Sequence, residues 1–303
     1  MPRFAAVDIG TNSTRLLIAD VERHGVADVE RIEKVTGLGR DSTRSGRLAP
    51  ESIRRTARVL AGYGQRIRSA GVTGSRAVAT AATRDAVNRE EFLAAARQAL
   101  GFQPDVIGGE EEADLCFRGA TARSSTRGET VVVDIGGGST EIVTDHGGVS
   151  VNIGSIRLTD RCLPAHPATP AHLAAAREAA TEALRSADPV RRKIGLGTAG
   201  TWTTLAAILL RLDRFDPAGI EGAGLSLADL EGMVSRLGRL TLDQKRAIPG
   251  LDPLRAPVIL GGAVIAETAL RVLGLERITV TGYDILDGVC LALAEGAGLT
   301  VTT

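Results

Sequence analysis

Residues 133–143 read VDIGGGSTEIV, three glycines set between an acidic residue and a β-branched apolar run. Residues 7–18 read VDIGTNSTRLLI, so Val-Asp-Ile-Gly recurs, followed two residues later by Ser-Thr and then by a charged and an apolar stretch. A P-loop needs a lysine after its last glycine, and none lies near Gly136, Gly137 or Gly138. A dinucleotide fingerprint needs a third glycine opening a helix, but Glu141 stands there and Ile142-Val143 continue as a strand. Each copy therefore reads as a glycine turn between two antiparallel strands. Such a turn lets successive backbone N–H groups converge on phosphate oxygens. Thr11, Asn12 and Ser13 in one copy, and Ser139 and Thr140 in the other, add side-chain donors. Asp8 and Asp134 each close a buried strand, where a carboxylate without a partner is costly. A metal ion with its waters, or a nucleophilic water, would supply that partner. One copy alone fits an ordinary hairpin with a capping Asp; the repeat of acid and Ser-Thr spacing favours phosphate.

The chain's 303 residues suffice for two sizeable cores. An apolar content of 44% and a mean hydropathy of +0.07 fit a soluble globular protein and argue against disorder. No apolar run approaches the roughly 20 residues of a membrane span, and MPRFAAVDIG enters a strand pattern directly, without a leader. The expectation is a cytoplasmic protein without a membrane partner. Basic and acidic residues number 36 each, a balance that argues against nucleic acid as a partner. Cys116, Cys162 and Cys290 are odd in number and scattered, so no disulfide framework is expected. Neither they nor His24, His146, His166 and His172 show zinc-ligand spacing. Apart from Lys34, Lys193 and Lys245 the basic residues are arginine, which suits bidentate phosphate recognition, although codon bias explains the same excess. Arg40, Arg44, Arg47, Arg54, Arg55, Arg58, Arg66, Arg68, Arg76 and Arg84 are candidates for a polyanion cleft, most of them ordinary solvated faces.

Alternation and spacing predict strands at 4–9, 15–21 and 27–35, then a loop at 37–48. Pro50 opens a helix to about residue 70 with Ile53, Ala57, Leu60 and Ile67 on one face. A strand at 72–79, a helix at 89–100, a short strand at 104–107 and a helix from about 110 to 122 follow. The polar SSTRG at 124–128 marks a boundary. Beyond it come strands at 131–135, 141–145, 148–153, 194–196 and 277–280, and helices at 170–186, 201–211, 227–237, 257–273 and 284–297. The result is an α/β fold with mixed sheets in two domains, 1–124 and 125–303; alternatively the terminal helix, 284–303, completes the first.

Five segments, VDIGTNSTRLLI, ATAATRDAVN, GGEEEADL, VVVDIGGGSTEIV and GTAGTWTTLAAI, span nearly the whole chain. In identity and order they resemble the motifs of the exopolyphosphatase/guanosine pentaphosphate phosphatase family, within the actin-like, sugar-kinase and heat-shock-ATPase superfamily. The resemblance implies two ribonuclease-H-like domains around a central cleft, each offering a phosphate-binding hairpin. Thr11, Asn12 and Ser13 would bind from one domain, and Gly136, Gly137, Gly138 and Ser139 from the other. It further implies that Arg84 grips phosphate and that Glu112 is the catalytic general base. Glu110 and Glu111 would mainly complement the helix dipole. Asp8, Asp134 and Glu141 would place Mg²⁺, or another divalent cation, directly or through water. Plainer readings accompany these: Arg84 as a helix-start salt bridge, GTAGTWTTLAAI as small-residue packing, and Trp202 as core. One departure is Leu286, which stands where the family usually carries arginine and puts any phosphate contact there in doubt. The resemblance is to the short, two-domain form, and it implies a homodimer.

The function expected is hydrolysis of the terminal phosphoanhydride of inorganic polyphosphate. Guanosine pentaphosphate 5′-phosphohydrolase, or nucleoside triphosphate phosphatase, would use the same groups, and no guanine pocket is legible. From another class, an actin-like nucleotide-binding or polymerising protein shares the hairpins but does not need Glu112 and Arg84. A sugar kinase fits poorly, for want of an acid placed as base toward a sugar hydroxyl.

Overall fold

Residues 4–9 and 130–135 are buried throughout, so both strands that carry the repeated Val-Asp-Ile are central and covered on two faces. The computed structural model describes the chain except His24, Asp41, Arg214, Phe215, Thr302 and Thr303, and except the side chains of Thr43 and Arg44. Two of the sequence candidates, His24 and the Arg44 side chain, thus lie outside the described residues. In the first sheet β1 (Arg3–Ile9), β2 (Ser13–Glu22) and β3 (Gly25–Val35) are antiparallel. Onto them β4 (Gly74–Ala79) and β5 (Asp105–Val106) add in parallel, giving the order β3-β2-β1-β4-β5. The second sheet repeats this plan. Its antiparallel strands are β6 (Thr130–Ile135), β7 (Thr140–Thr144) and β8 (Gly147–Val151), and β9 (Ile194–Thr198) runs parallel to β6. Beyond β9 come β10 (Gly224–Ser226), antiparallel at the edge, and β11 (Arg277–Val280), parallel to β9, in the order β10-β11-β9-β6-β7-β8. The duplication read from two short motifs is thus a duplication of whole sheets, and the fold is α/β as expected.

Helices form where the caps and apolar spacing call for them. Pro50–Ser69 starts on its proline and buries Ile53, Thr56, Leu60, Tyr63 and Ile67 at helical spacing. Thr169 and His172 form a reciprocal cap on Pro170–Ser186. Arg89–Leu100 and Ile259–Leu273 end on glycines with φ of 92° and 71°, conformations that favour glycine. The expected loop at 37–48 contains the short helix Ser42–Ser45, and several further short elements have no counterpart in the expectations, among them Ser155–Cys162 and the three-residue β10. Both are too short to show a period. The helix expected at 201–211 begins earlier, as Ala199–Leu209.

The chain divides into two compact units: residues up to Ser125 together with those from Tyr283 onward, and Thr126–Gly282. The terminal helix Ile285–Gly296 therefore sits in the first unit, and the range 125–303 expected for the second domain loses its end. The cause is close backbone packing. Ile285, Leu286, Val289, Cys290 and Leu291 join Phe4, Ala6, Leu17, Val78 and Leu115 in one apolar cluster. A Cβ on Gly288 would fall 1.9 Å from the Leu115 carbonyl oxygen, and one on Gly119 would fall 1.8 Å from that of Asp284. Two glycines thus let the terminal helix lie directly on Gly109–Ala120, the helix that bears Glu112. Gly288→Ala is expected to destabilise by about 1–3 kcal/mol or more, as overpacking does. A fall in Tm by scanning calorimetry checks it; Gly296→Ala, where nothing lies within 4 Å, should leave Tm unchanged or raise it.

Candidate active site

In the first unit β1, β4 and β5 are parallel, and the segment after each strand carries a candidate residue. Ligands of open α/β sheets bind beyond the carboxyl ends of such strands. After β1 the Gly10 amide donates to the Ser13 carbonyl at 2.9 Å, closing the first turn. The Asn12 carbonyl accepts from the amides of Thr36 and Gly37 at 2.9 and 2.7 Å, and the Thr11 carbonyl from Gly39 at 2.9 Å. The second turn closes in the same way, Gly136 to Ser139 at 3.1 Å. Its carbonyls are taken by the start of helix Ser155–Cys162. Gly136 accepts from Ser155 at 2.9 Å, Gly137 from Ile156 at 2.9 Å, and Gly138 from the Arg157 Nε at 3.0 Å.

By contrast, none of the hydrogen bonds among the described residues uses the amides of Thr11, Asn12, Gly137 or Gly138. These residues are buried, and a buried donor left unmade costs about 1–3 kcal/mol. Carbonyls consumed and N–H groups left open make a donor cradle, the local geometry that receives an anion. The helix that ties down the second turn escaped the sequence reading. Its only local signal is Gly154, where a Cβ would stand 2.5 Å from the Gly137 carbonyl carbon.

After β4 comes the helix Ala81–Asp85, and after β5 the helix Gly109–Ala120. Arg84 links them: its Nη1 donates to the Ile107 carbonyl at 3.0 Å and to Glu112 Oε2 at 3.1 Å. The salt bridge of the plainer reading of Arg84 is present, with Glu112 as its partner, although Arg84 stands in the last turn of its helix and not at the start. Of the three adjacent acids only Glu112 is buried; Glu110 is exposed and Glu111 turns outward to Arg76 at 2.6 Å. Gly39 spaces the first turn from the Arg84 helix, since a Cβ there would lie 2.4 Å from Thr11 Cγ2 and 3.0 Å from Ala82 Cβ.

Asp8 has a partner that sequence reading missed. Arg15, opposite it on β2, donates to Asp8 Oδ2 through Nη2 and Nε at 2.6 and 2.9 Å and reaches Asp284 with its other Nη. Hairpin register is the signal that could have found it, because residues facing across a two-strand ladder share a side. Burial outweighs the Arg15 charge and raises the Asp8 pKa, while Asp8 Oδ1 is buried without a hydrogen bond. In the second unit the residue opposite Asp134 is Glu141, also buried, which accepts from the Ser150 hydroxyl at 2.7 Å. Among the described residues no three His, Cys, Asp or Glu side chains gather as a metal cage.

Other candidates resolve into framework. Trp202 is fully buried against Gly197, and Ala199 turns the chain from β9 into its helix at φ 67°. Leu286 is 1% exposed in the terminal-helix core, so it offers no phosphate contact. Its amide donates to Asp284 Oδ1 at 2.8 Å. Arg55 holds the Thr36 and Gly37 carbonyls, Arg54 pairs with Glu51, and Arg66 pairs with Glu30. No helix among the described residues is long and apolar enough to cross a membrane.

Residues 17–296 match the model of the Ppx/GppA phosphatase family. Exopolyphosphatase 2 of Mycobacterium tuberculosis is 40% identical over 316 residues, covering 97% of this chain and 99% of that protein. A crystal structure of an exopolyphosphatase-like protein superposes with a TM-score of 0.94 at 33% identity, covering 98% of this chain and 99% of the other. The Ppx/GppA protein of Aquifex aeolicus superposes with a TM-score of 0.83 at 28% identity, covering 98% and 99% of the two chains.

Because Gly154 lies against the backbone of the second turn, Gly154→Ala should push that turn off its helix. The expected loss is about 1–3 kcal/mol, read from the midpoint of chemical denaturation. An unchanged midpoint would show that the turn does not depend on this contact.

Proposed function

The chain belongs to the Ppx/GppA phosphatase family, and from that premise we propose that it hydrolyses the terminal phosphoanhydride of inorganic polyphosphate, releasing orthophosphate. The observation that carries the proposal is Glu112, a buried acid held 3.1 Å from Arg84 beyond the carboxyl ends of β4 and β5. The choice of polyphosphate is supported by the name and 40% identity of the mycobacterial relative.

In the reaction a water oxygen attacks the terminal phosphorus and the bond to the bridging oxygen breaks, leaving the chain one phosphate shorter. Glu112 orients that water and takes its proton. Arg84 holds the Glu112 carboxylate and offers its remaining N–H groups to a phosphate oxygen. The amides of Thr11 and Asn12, with the Ser13 hydroxyl, receive charge that builds on phosphate oxygens as the bond breaks. Gly137, Gly138 and Ser139 offer donors of the same kind to a phosphate at their own turn.

Proteins usually hold Mg²⁺ through one or two carboxylates together with substrate phosphates and waters, so the lack of a three-acid cage among the described residues does not oppose it. Two features fit it: the buried Asp134–Glu141 pair on one face of the second sheet, and the buried, unpartnered Oδ1 of Asp8. When bound, the ion would neutralise phosphate charge.

Glu112→Gln should lower kcat by about 10²–10⁴-fold while polyphosphate binding, measured by calorimetry, persists. Wild-type turnover by this variant would overturn the assignment. Phosphate release should be greater from polyphosphates of several lengths than from guanosine pentaphosphate or ATP, and preference for a nucleotide over every polyphosphate would refute the substrate. Chelation should abolish release and Mg²⁺ restore it; activity indifferent to chelator would remove the metal from the account.

A further inference from the structure

Arg191, Arg192 and Lys193 are three consecutive cations that none of the motifs above uses. They end just before β9, and Glu129 and Glu276–Arg277 stand just before β6 and at the start of β11. Because β6, β9 and β11 are parallel, these residues gather at the amino ends of the strands, the opposite end of the second sheet from the glycine turn. At about 3.3 Å per residue, the six-residue β6 separates the two places by roughly 17–20 Å. A groove of about 1000 Å³ opens there, lined by Arg191, Arg192, Lys193, Arg277, Glu129 and Glu276 among others, all within the second unit.

Three of the four cations of this groove are uncommitted to any carboxylate among the described residues. Arg192 is committed to Asp145 at 3.1 Å, and its Nε is buried without a partner. Arg191, Lys193 and Arg277 make no ion pair among the described residues, whereas Arg54, Arg66, Arg76 and Arg271 are all ion-paired. Arg277 is seated across Gly224, where a Cβ would meet its guanidinium at 2.1 Å. Arg191, Lys193 and Arg277, with the paired Arg192 beside them, outnumber the two carboxylates in a concave site, and a cleft with an excess of one sign concentrates counter-ions.

We propose that this groove is a second anion site, separate from the glycine turns, that binds an oligophosphate group. A single phosphate would engage only part of it, since the volume reaches the upper end of the roughly 300–1,000 Å³ typical of small-molecule sites. Arginines and a lysine spread over neighbouring strand ends suit several phosphates in a row. The group could come from a bare polyphosphate chain or from a nucleoside polyphosphate. Glu129 and Glu276 distinguish the sources: they repel a bare chain but accept hydrogen bonds from sugar hydroxyls and amino groups.

The test uses the full chain and two hydrolysis-resistant probes, imidodiphosphate and β,γ-imido-ATP. Binding is followed by calorimetry and located by hydrogen exchange of peptides covering 188–194 and 274–278. The expected result is slowed exchange in both peptides with at least one probe. In Arg191→Ala/Lys193→Ala, binding at the groove should weaken by about tenfold or more and the protection should vanish, with Tm unchanged. Arg277→Ala, which alters a different strand end, should give the same loss. Protection by imidodiphosphate identifies a bare chain as sufficient, and protection by the nucleotide analogue alone identifies the nucleoside as required; either supports the site. Absence of protection with both probes, or equal protection in parent and variants, would overturn it. The readout does not use phosphate release, so failure of the hydrolase reading leaves it intact.

Discussion

The two glycine turns are held by the hydrogen bonds of their carbonyls, and the elements around them are placed by those bonds. Each closes with the same glycine-to-serine backbone bond, and in each the carbonyls are used up by a later segment. In the first unit that segment is residues 36–39; in the second it is the start of Ser155–Cys162. With carbonyls spent, the backbone of Thr11, Asn12, Gly137 and Gly138 has only donors to offer. A buried surface of that kind favours an anion over water or a cation. The small residues nearby answer to the same constraint, because a Cβ at Gly39 or Gly154 would strike the turn or its neighbour.

The duplication is close in backbone and divergent in chemistry. Opposite the strand-ending acid, the first unit places Arg15 and the second places Glu141. The arginine ties Asp8 into a buried chain of charges that continues through Asp284 to Arg31 and Asp287. Burial raises the Asp287 pKa against the pull of Arg31. Such burial is costly and stabilises only while every partner is in place. It stands at the first turn of the terminal helix, so the same charges that engage Asp8 also seat the helix against Gly109–Ala120. Leu286 faces the apolar cluster, and the charges at this turn are carried by its neighbours Asp284 and Asp287.

Elements whose signal is local were legible. Helices Arg89–Leu100 and Pro170–Ser186 and strand β11 have the bounds expected from caps and periodicity, because a capping box, a left-handed glycine or a short apolar run is written within a few residues. The antiparallel turns were legible for the same reason. Among the elements that were not legible, Ser155–Cys162 owes its start to the carbonyls of residues 136–137, and β10 is a three-residue edge. Glu112 could be named among three adjacent acids from the resemblance, but its burial and the outward turn of Glu110 and Glu111 belong to the fold.

The repeat, the α/β alternation, the family and the residue types at the turns can all be read along the chain, since each is a pattern of near neighbours. That Arg15 answers Asp8, that Arg84 meets Glu112 across 28 residues, and that the last helix completes the first unit emerge in the folded chain alone. Those contacts depend on strand register and on how closely glycine backbones approach, and neither is encoded within any one segment.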